Sequence, residues 1–453
     1  MEALIVLFAT GLISMFIAMA KKPVLVLGVT AIGILTAISS LIYQMNFPYK
    51  WLNYEGLDFG FLANLYGVVA LSFGLLIILV GYAKFKQEPE HTGEYISLLT
   101  FSMCGALCML AFTDMFMFFI GLEILSIPIY VMAGSRKKDL RSSEASLKYF
   151  FTGAFATGVL LFGIAWVYGA TGSFKLSEIA MVAQNPESHN ALLMVGLLMI
   201  LASFLFKIGA APFHFWSPDV YEGSPNVVTA FMAAVVKLAA FGAFIKLFSV
   251  AFDGLRDFWV PILVGLSILT MFVGNLTALR QITFKRLIAY SSITHVGYAL
   301  MALIDQNIQL SSLNLWVYLF AYGFSIIALI IVSLILNDDE DLLVSYKGFA
   351  RRNKFGGFVL ILALLSLAGV PPLAGFFGKY LIFSSVITQQ PILVIIALAN
   401  SGIAIYYYLK LIRIALEPAD ENAPALKTPI LQTIVLTVCA LGILGGGIVT
   451  WLA

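Results

Sequence analysis

Four ionisable side chains stand within apolar runs, and a histidine joins them in a further expected span. Glu123 lies in MFMFFIGLEILSIPIYVMAG, flanked by apolar residues for two turns on either side. Lys207 lies in LASFLFKIGAAPFHFWSPDVY, Lys237 in VVTAFMAAVVKLAAFGAF, Lys379 in LSLAGVPPLAGFFGKYLIFSS and His295 in KRLIAYSSITHVGYAL. A charge at the centre of an apolar helix costs roughly 2.5–3.5 kcal/mol on insertion scales, so each should face a bundle interior and have a partner or a task. Carboxylate, amine and imidazole share one chemistry: each takes up and releases a proton. Imidazole does so in the physiological range, and removing an amine from water weakens its hold on the proton. A row of such groups is therefore read as a proton route. Plainer readings stay open on the residues alone. Glu123 could glue helices by pairing with a lysine, and Lys237 could be its counter-charge. Lys207 could snorkel to a helix end. His295 could be a hydrogen-bonder in a bundle. His214, in the same segment as Lys207, could satisfy freed backbone carbonyls.

Two of these groups lie beside expected breaks. Pro212 and Pro218 follow Lys207; Pro371 and Pro372 precede Lys379, among Gly369, Gly375 and Gly378. Proline withdraws a backbone donor and clashes with the preceding turn. At membrane depth such a break is tolerated where it is buried or lines a watery cavity.

The elements that must hold these residues are membrane helices. The 453-residue chain is 61% hydrophobic and 11% charged, against about 25% charged for a soluble domain. About 20 apolar residues cross a bilayer. Spans are placed near 2–20, 23–44, 61–83, 96–113, 115–134, 148–169, 192–215, 225–249, 258–279, 285–304, 312–336, 355–388, 391–416 and 428–452. No basic residue precedes the first apolar run, so it reads as an uncleaved span. Basic residues cluster on one side of this map, around Lys21, Arg136, Lys285, Arg351 and Arg413. The other side holds Lys50, Lys175, Lys246 and Arg256. By the positive-inside rule the first side is cytoplasmic and both termini lie outside.

Interrupted helices in matching positions of two five-span units point to an inverted-repeat transporter. The expected architecture is all-α and polytopic, with about fourteen spans. Spans 4–8 and 9–13 form the inverted repeats, each with one broken helix. The divisions are residues 1–90, 91–250, 251–418 and 419–453. Lys207 precedes its proline while Lys379 follows its pair, so the helices are equated and not the residues.

Other chemistries find little support. The net charge of +2 gives no nucleic-acid surface. Cys104, Cys108 and Cys439 lie in apolar runs without metal spacing. No phosphate loop or dinucleotide fingerprint occurs, so transport must draw on an ion gradient or a partner protein. The segment LNDDEDLLVSYKGFARRNK is read as a solvated loop or a partner contact.

The stretches GLEILSIPIYVMAGS, FLFKIGAAPFHFWSPDVYEGSP, GNLTALRQITFKRLIAYSSITHVGY, SYKGFARR and SLAGVPPLAGFFGKY resemble the antiporter-like subunits of bacterial NADH–quinone oxidoreductase, respiratory complex I. The segment HFWSPDVYEGSP, and Lys379 in place of glutamate, favour the subunit N family over its sister M. The chain also lacks the lateral helix expected of subunit L. The resemblance implies that Glu123 pairs with Lys207, that Lys237 and His295 continue a central hydrated axis, and that Lys379 stands near its exit. His214, Lys285 and Tyr322 are secondary candidates, Tyr322 standing where some relatives have a further histidine. A tyrosine, with its pKa near 10, relays less readily, so water would bridge that step. It further implies a non-redox subunit of a proton-pumping translocase in the bacterial inner membrane. No cofactor is expected in this chain; NADH, FMN, iron–sulfur clusters and quinone belong to partners. The neighbours expected are subunit M, small subunits of types K, J and A, and lipid, with no nucleic acid. Alternatives are a subunit of a multi-protein Na+/H+ antiporter and a non-pumping membrane scaffold.

Overall fold

Stretches with no polar stripe must satisfy their backbone internally, and in lipid an α-helix does so within one segment. The computed structural model describes residues 1–19, 21–47, 55–87, 91–185, 190–338, 340–419 and 423–452. Lys50 and the expected division at residue 90 lie outside the described residues. Helices follow in the order α1 Glu2–Ala18, α2 Pro23–Asn46, α3 Phe61–Gln87, α4 Thr92–Ala111, α5 Met115–Ala133, α6 Leu140–Thr171, α7 Leu176–Gln184, α8 Ala191–Ile208, α9 Trp216–Gly223, α10 Asn226–Phe231, α11 Lys237–Val250 and α12 Arg256–Ala278. They continue with α13 Phe284–Ala302, α14 Ile308–Leu336, α15 Phe349–Arg352, α16 Lys354–Ala368, α17 Ala374–Val386, α18 Pro391–Leu416 and α19 Ile430–Leu452. Among the described residues no sheet forms; there are isolated bridges at Leu57–Phe112, Asp114–Lys175 and Thr283–Leu342.

Ten helical stretches among the described residues are long and apolar enough to cross a membrane. α1, α16 and the described part of α19 are shorter apolar helices. The short α7 and α9 have no counterpart in the sequence reading. Large apolar side chains such as Phe155, Phe162 and Ile392 are exposed, while the lysines singled out above are buried. That inside-out distribution is the one a lipid environment demands.

The chain divides into two units. The first comprises Met1–Ile208 and Gly223–Pro261; the second comprises Gly209–Glu222 and Ile262–Ala453. The segment after the first break thus leaves the unit that α8 belongs to. In the first unit α4 lies directly against α5: a Cβ on Gly105 would strike the backbone at Ile124 and Leu125. Ser102 Oγ donates to the Leu125 carbonyl at 2.7 Å. Glycine is what brings the helix of Glu123 this close to its neighbour. In the second unit α14 is central and packs against α16, α17 and α19.

Candidate functional site

Asp114 caps α5 by accepting from the Met117 amide at 2.8 Å, and Glu123 follows two turns later. Glu123 is half-buried; its Oε1 accepts from Thr157 Oγ1 at 2.8 Å. Ser126, one turn on, donates to the Leu122 carbonyl and accepts from Lys207 Nζ at 2.5 Å. Lys207, in the last turn of α8, is 4% exposed. Its ammonium lies 5.8 Å from the centre of the Tyr130 ring. Positions 123, 126 and 130 recur on one helical face, so α5 presents a carboxylate, a hydroxyl and an aromatic ring in a row. The hydrogen bonds of Glu123 and Lys207 go to Thr157 and Ser126, not to each other.

Lys237 is 4% exposed, and its helix is buried around it from Asn226 to Ile245. It directly follows a π-helical turn, Met232–Val236. Such turns loosen the regular helix and are frequent at functional sites. Nearby, Lys246 Nζ donates to the Leu110 carbonyl at 3.4 Å, near the C-terminus of α4.

At the second break a backbone carbonyl takes part in holding the lysine. α16 ends at Ala368, and Gly369 at φ +85° caps it. The amides of Gly369 and Val370 return to the Leu365 carbonyl at 3.1 and 3.0 Å. The Ala368 carbonyl accepts instead from Lys379 Nζ, reaching back from α17 at 3.1 Å. A cation at a helix C-terminus also faces the negative end of the helix dipole. Ser401 Oγ on α18 lies 2.9 Å from the same ammonium, and the Tyr298 ring centre 4.9 Å from it. Gly375 is required here, because a Cβ would collide with the Ser366 carbonyl.

His295, 5% exposed, lies within the second unit. Its Nδ1 is 2.6 Å from Tyr318 Oη and its Nε2 is 3.1 Å from Tyr408 Oη. Tyr322 Oη pairs with Ser292 Oγ at 2.6 Å. His295, Tyr318, Tyr322, Ser366 and Gly375 border a cavity of about 10 Å³, room for the centre of one water molecule. His214 is buried against Phe215, its Nδ1 without a hydrogen-bond partner among the described residues.

Lys285 belongs to a different cluster. Arg286 bridges Asp219 and Glu222 at 2.8 and 2.9 Å. Lys285 Nζ reaches the Glu222 carbonyl at 3.4 Å, and its amide donates to Asp341 Oδ2 at 3.0 Å. Asp341 also accepts from Ser333 and Tyr346. Burial raises the Asp341 carboxyl above its ordinary value, against the opposing pull of Lys285. This cluster ties the Gly209–Glu222 segment to the start of α13. The charges of Asp219, Glu222 and Arg286 were visible in sequence. Their meeting was not, because more than sixty residues separate the partners. Ser126, Thr157 and Ser401 carried no signal, since serine and threonine hydroxyls inside membrane helices commonly bond to their own backbone.

The NADH:quinone oxidoreductase/Mrp antiporter membrane family model matches residues 113–404. NADH-quinone oxidoreductase subunit N of Cytophaga hutchinsonii is 41% identical over 93% of this chain and 91% of its own length. The chain belongs to the subunit N family of NADH-quinone oxidoreductases. Subunit N of Flavobacterium psychrophilum is 32% identical over 97% of this chain and 96% of its own length. Among solved structures, a chain of respiratory complex I from Thermus thermophilus is 31% identical, with a TM-score of 0.85 over 99% of this chain and 98% of that one. A chain of an archaeal membrane-bound sulfane sulfur reductase shares the fold at a TM-score of 0.86, over 100% of this chain and 95% of its own, with 24% identity. The antiporter-like fold thus recurs in these respiratory membrane complexes.

Proposed function

We propose that this chain is a proton-translocating membrane-arm subunit of an NADH–quinone oxidoreductase. The observation that carries this reading is the burial of Lys207, Lys237 and Lys379, at 4, 4 and 5% exposure, in a chain whose outer surface is apolar. Ammonium groups kept from both lipid and water are costly, and function is the default account of them. Membership of the subunit N family supports the same reading.

The proposed proton-carrying set is Glu123, Lys207, Lys237, His295 and Lys379, with His214, Lys285 and Tyr322 secondary. Glu123 acts on Lys207 through Coulomb attraction over the one turn that separates it from Ser126. When Glu123 is engaged, positive charge is held at Lys207. When it is disengaged, like-charge repulsion favours proton release from Lys237. The proton then passes by way of His295 to Lys379. Redox chemistry in partner subunits biases the two arrangements, which is coupling through a two-state element. The chain itself contributes no redox step; NADH, FMN, iron–sulfur clusters and quinone belong to those partners. In the same reading about fourteen spans form inverted repeats over residues 91–250 and 251–418, flanked by 1–90 and 419–453. The protein occupies a bacterial inner membrane with both termini periplasmic. It neighbours subunit M and small subunits of types K, J and A.

The family also includes Mrp antiporters, so Na+/H+ exchange is a second reading. Co-purification with NADH oxidase activity separates the two. The decisive test is Lys237→Met in the assembled complex, assayed in inverted membrane vesicles. Proton pumping per NADH oxidised should be abolished; retention at full stoichiometry refutes the route. A non-pumping scaffold would tolerate apolar replacement of all three lysines.

A further inference from the structure

His295 touches two tyrosine hydroxyls whose onward partners differ. A neutral ring has one N–H donor and one bare acceptor nitrogen. Tyr318 Oη lies 2.6 Å from Nδ1 and also donates to the His295 backbone carbonyl at 3.2 Å. A carbonyl only accepts, so in the arrangement where Tyr318 gives its single proton to that carbonyl, Nδ1 is the N–H nitrogen and donates to the Tyr318 oxygen. Nε2 is left as the bare nitrogen and accepts from Tyr408 Oη at 3.1 Å. Tyr408 Oη in turn lies 2.5 Å from Ser291 Oγ, where either oxygen can donate. The two tyrosines are therefore unlike. Tyr318 is locked by a backbone group that cannot change its role. Tyr408 has a partner whose hydrogen bond can reverse.

We infer that proton exchange at His295 runs through Nε2 and the Tyr408–Ser291 hydroxyl pair, with Tyr318 serving as the anchor of Nδ1. This rests on the proposed function and deepens it. In the loading step the Tyr408 hydroxyl proton moves to Nε2, and the Ser291 hydroxyl proton moves to the Tyr408 oxygen. A water molecule beyond Ser291 delivers a proton to the serine oxygen. One proton enters, the imidazole becomes imidazolium, and both hydroxyls are restored. Unloading runs the same hydroxyl shifts in reverse, and the proton leaves toward Lys379 from the water beyond Ser291. Nδ1 offers no such path, because the Tyr318 proton points at a carbonyl that cannot pass it on. The other titratable groups facing the imidazole are Tyr298 on its own helix, Tyr322 on α14 and, across the Tyr298 ring, Lys379 on α17. They are common to all the variants below.

The test uses the assembled complex in inverted vesicles, with proton yield per NADH oxidised measured from about pH 6 to pH 8.5. Tyr408→Phe and Ser291→Ala should each lower the yield about tenfold and displace the pH of half-maximal yield by about one unit. Tyr318→Phe should lower the yield without displacing that pH. His295→Gln is the control for the underlying reading: full yield there removes His295 from the relay altogether. If His295→Gln loses the yield while Tyr408→Phe keeps both yield and profile, this inference fails and the relay stands. The same holds if Tyr318→Phe displaces the profile as far as Tyr408→Phe does. Should Tyr408→Phe not assemble, Ser291→Ala keeps the phenol in place and decides the matter.

Discussion

The two broken helices hold their lysines with parallel parts and different consequences. Lys207 lies 2.5 Å from the hydroxyl of Ser126 and near the ring of Tyr130. Lys379 lies 2.9 Å from the hydroxyl of Ser401 and near the ring of Tyr298. Each ammonium therefore has one hydroxyl oxygen and one aromatic face. The difference lies in the third partner. One turn from Ser126 stands the carboxylate of Glu123, a group that can gain or lose charge. The third partner of Lys379 is the Ala368 carbonyl, which can do neither. Under the proposed function, the first site is switched by its neighbouring carboxylate, and the second lacks such a carboxylate among its three contacts. Lys207, in the last turn of α8, precedes its proline, and Lys379 follows its pair. Lys379 reaches back across the break to the end of α16.

This contrast can be broken by experiment. The largest effect is expected for Lys379→Met, which removes the ammonium that Ser401, Tyr298 and the Ala368 carbonyl surround. NADH-driven pumping in inverted vesicles should fall by at least about a hundredfold; pumping near the unsubstituted level would remove Lys379 from the route. Glu123→Gln keeps the Thr157 contact sterically but removes the switchable charge. Pumping should fall about tenfold, within the usual range of coupling energies. If Glu123→Gln and Ser401→Ala cost the same, the proposed difference between the sites disappears. Ser126→Ala and Ser401→Ala each remove one hydrogen bond to an ammonium. Each should destabilise the complex by about 1.5 kcal/mol, read as a lowered melting temperature in mild detergent.

The smallest effect concerns pH and stability. Burial raises the folded-state pKa of Asp341, so the fold favours its protonated form. Its contribution is most favourable below the ordinary carboxylate pKa and is lost as pH rises from there through the raised folded value. Asp341→Asn should flatten that part of the curve, measured as melting temperature against pH in detergent. An unchanged slope would mean that Asp341 titrates normally.

Much of this was legible in the chain. The low charge content and unbroken apolar runs require membrane helices. The cost of burying charge singles out Glu123, Lys207, Lys237 and Lys379. Proline chemistry locates both breaks, at Pro212 and at Pro371–Pro372. Helix lengths were harder: α13, α16 and α17 are too short or too polar to stand among the ten candidate spans. The π turn before Lys237 was not foreseen, since its Met, Ala and Val residues are ordinary helix formers.

By itself, the sequence determined the solvent, the helical class, the family and which buried charges need explaining. Those follow from local composition and from residues whose burial is costly wherever they lie. Only the tertiary structure decided the partners: Ser126 for Lys207, the Ala368 carbonyl for Lys379, Tyr318 and Tyr408 for His295. It also decided that Gly209–Glu222 packs with the second unit. The physical reason is range. A hydroxyl or a carbonyl is present in nearly every turn of every helix. Which one meets a buried ammonium or imidazole depends on helices brought together from far along the chain, and no local pattern records that meeting.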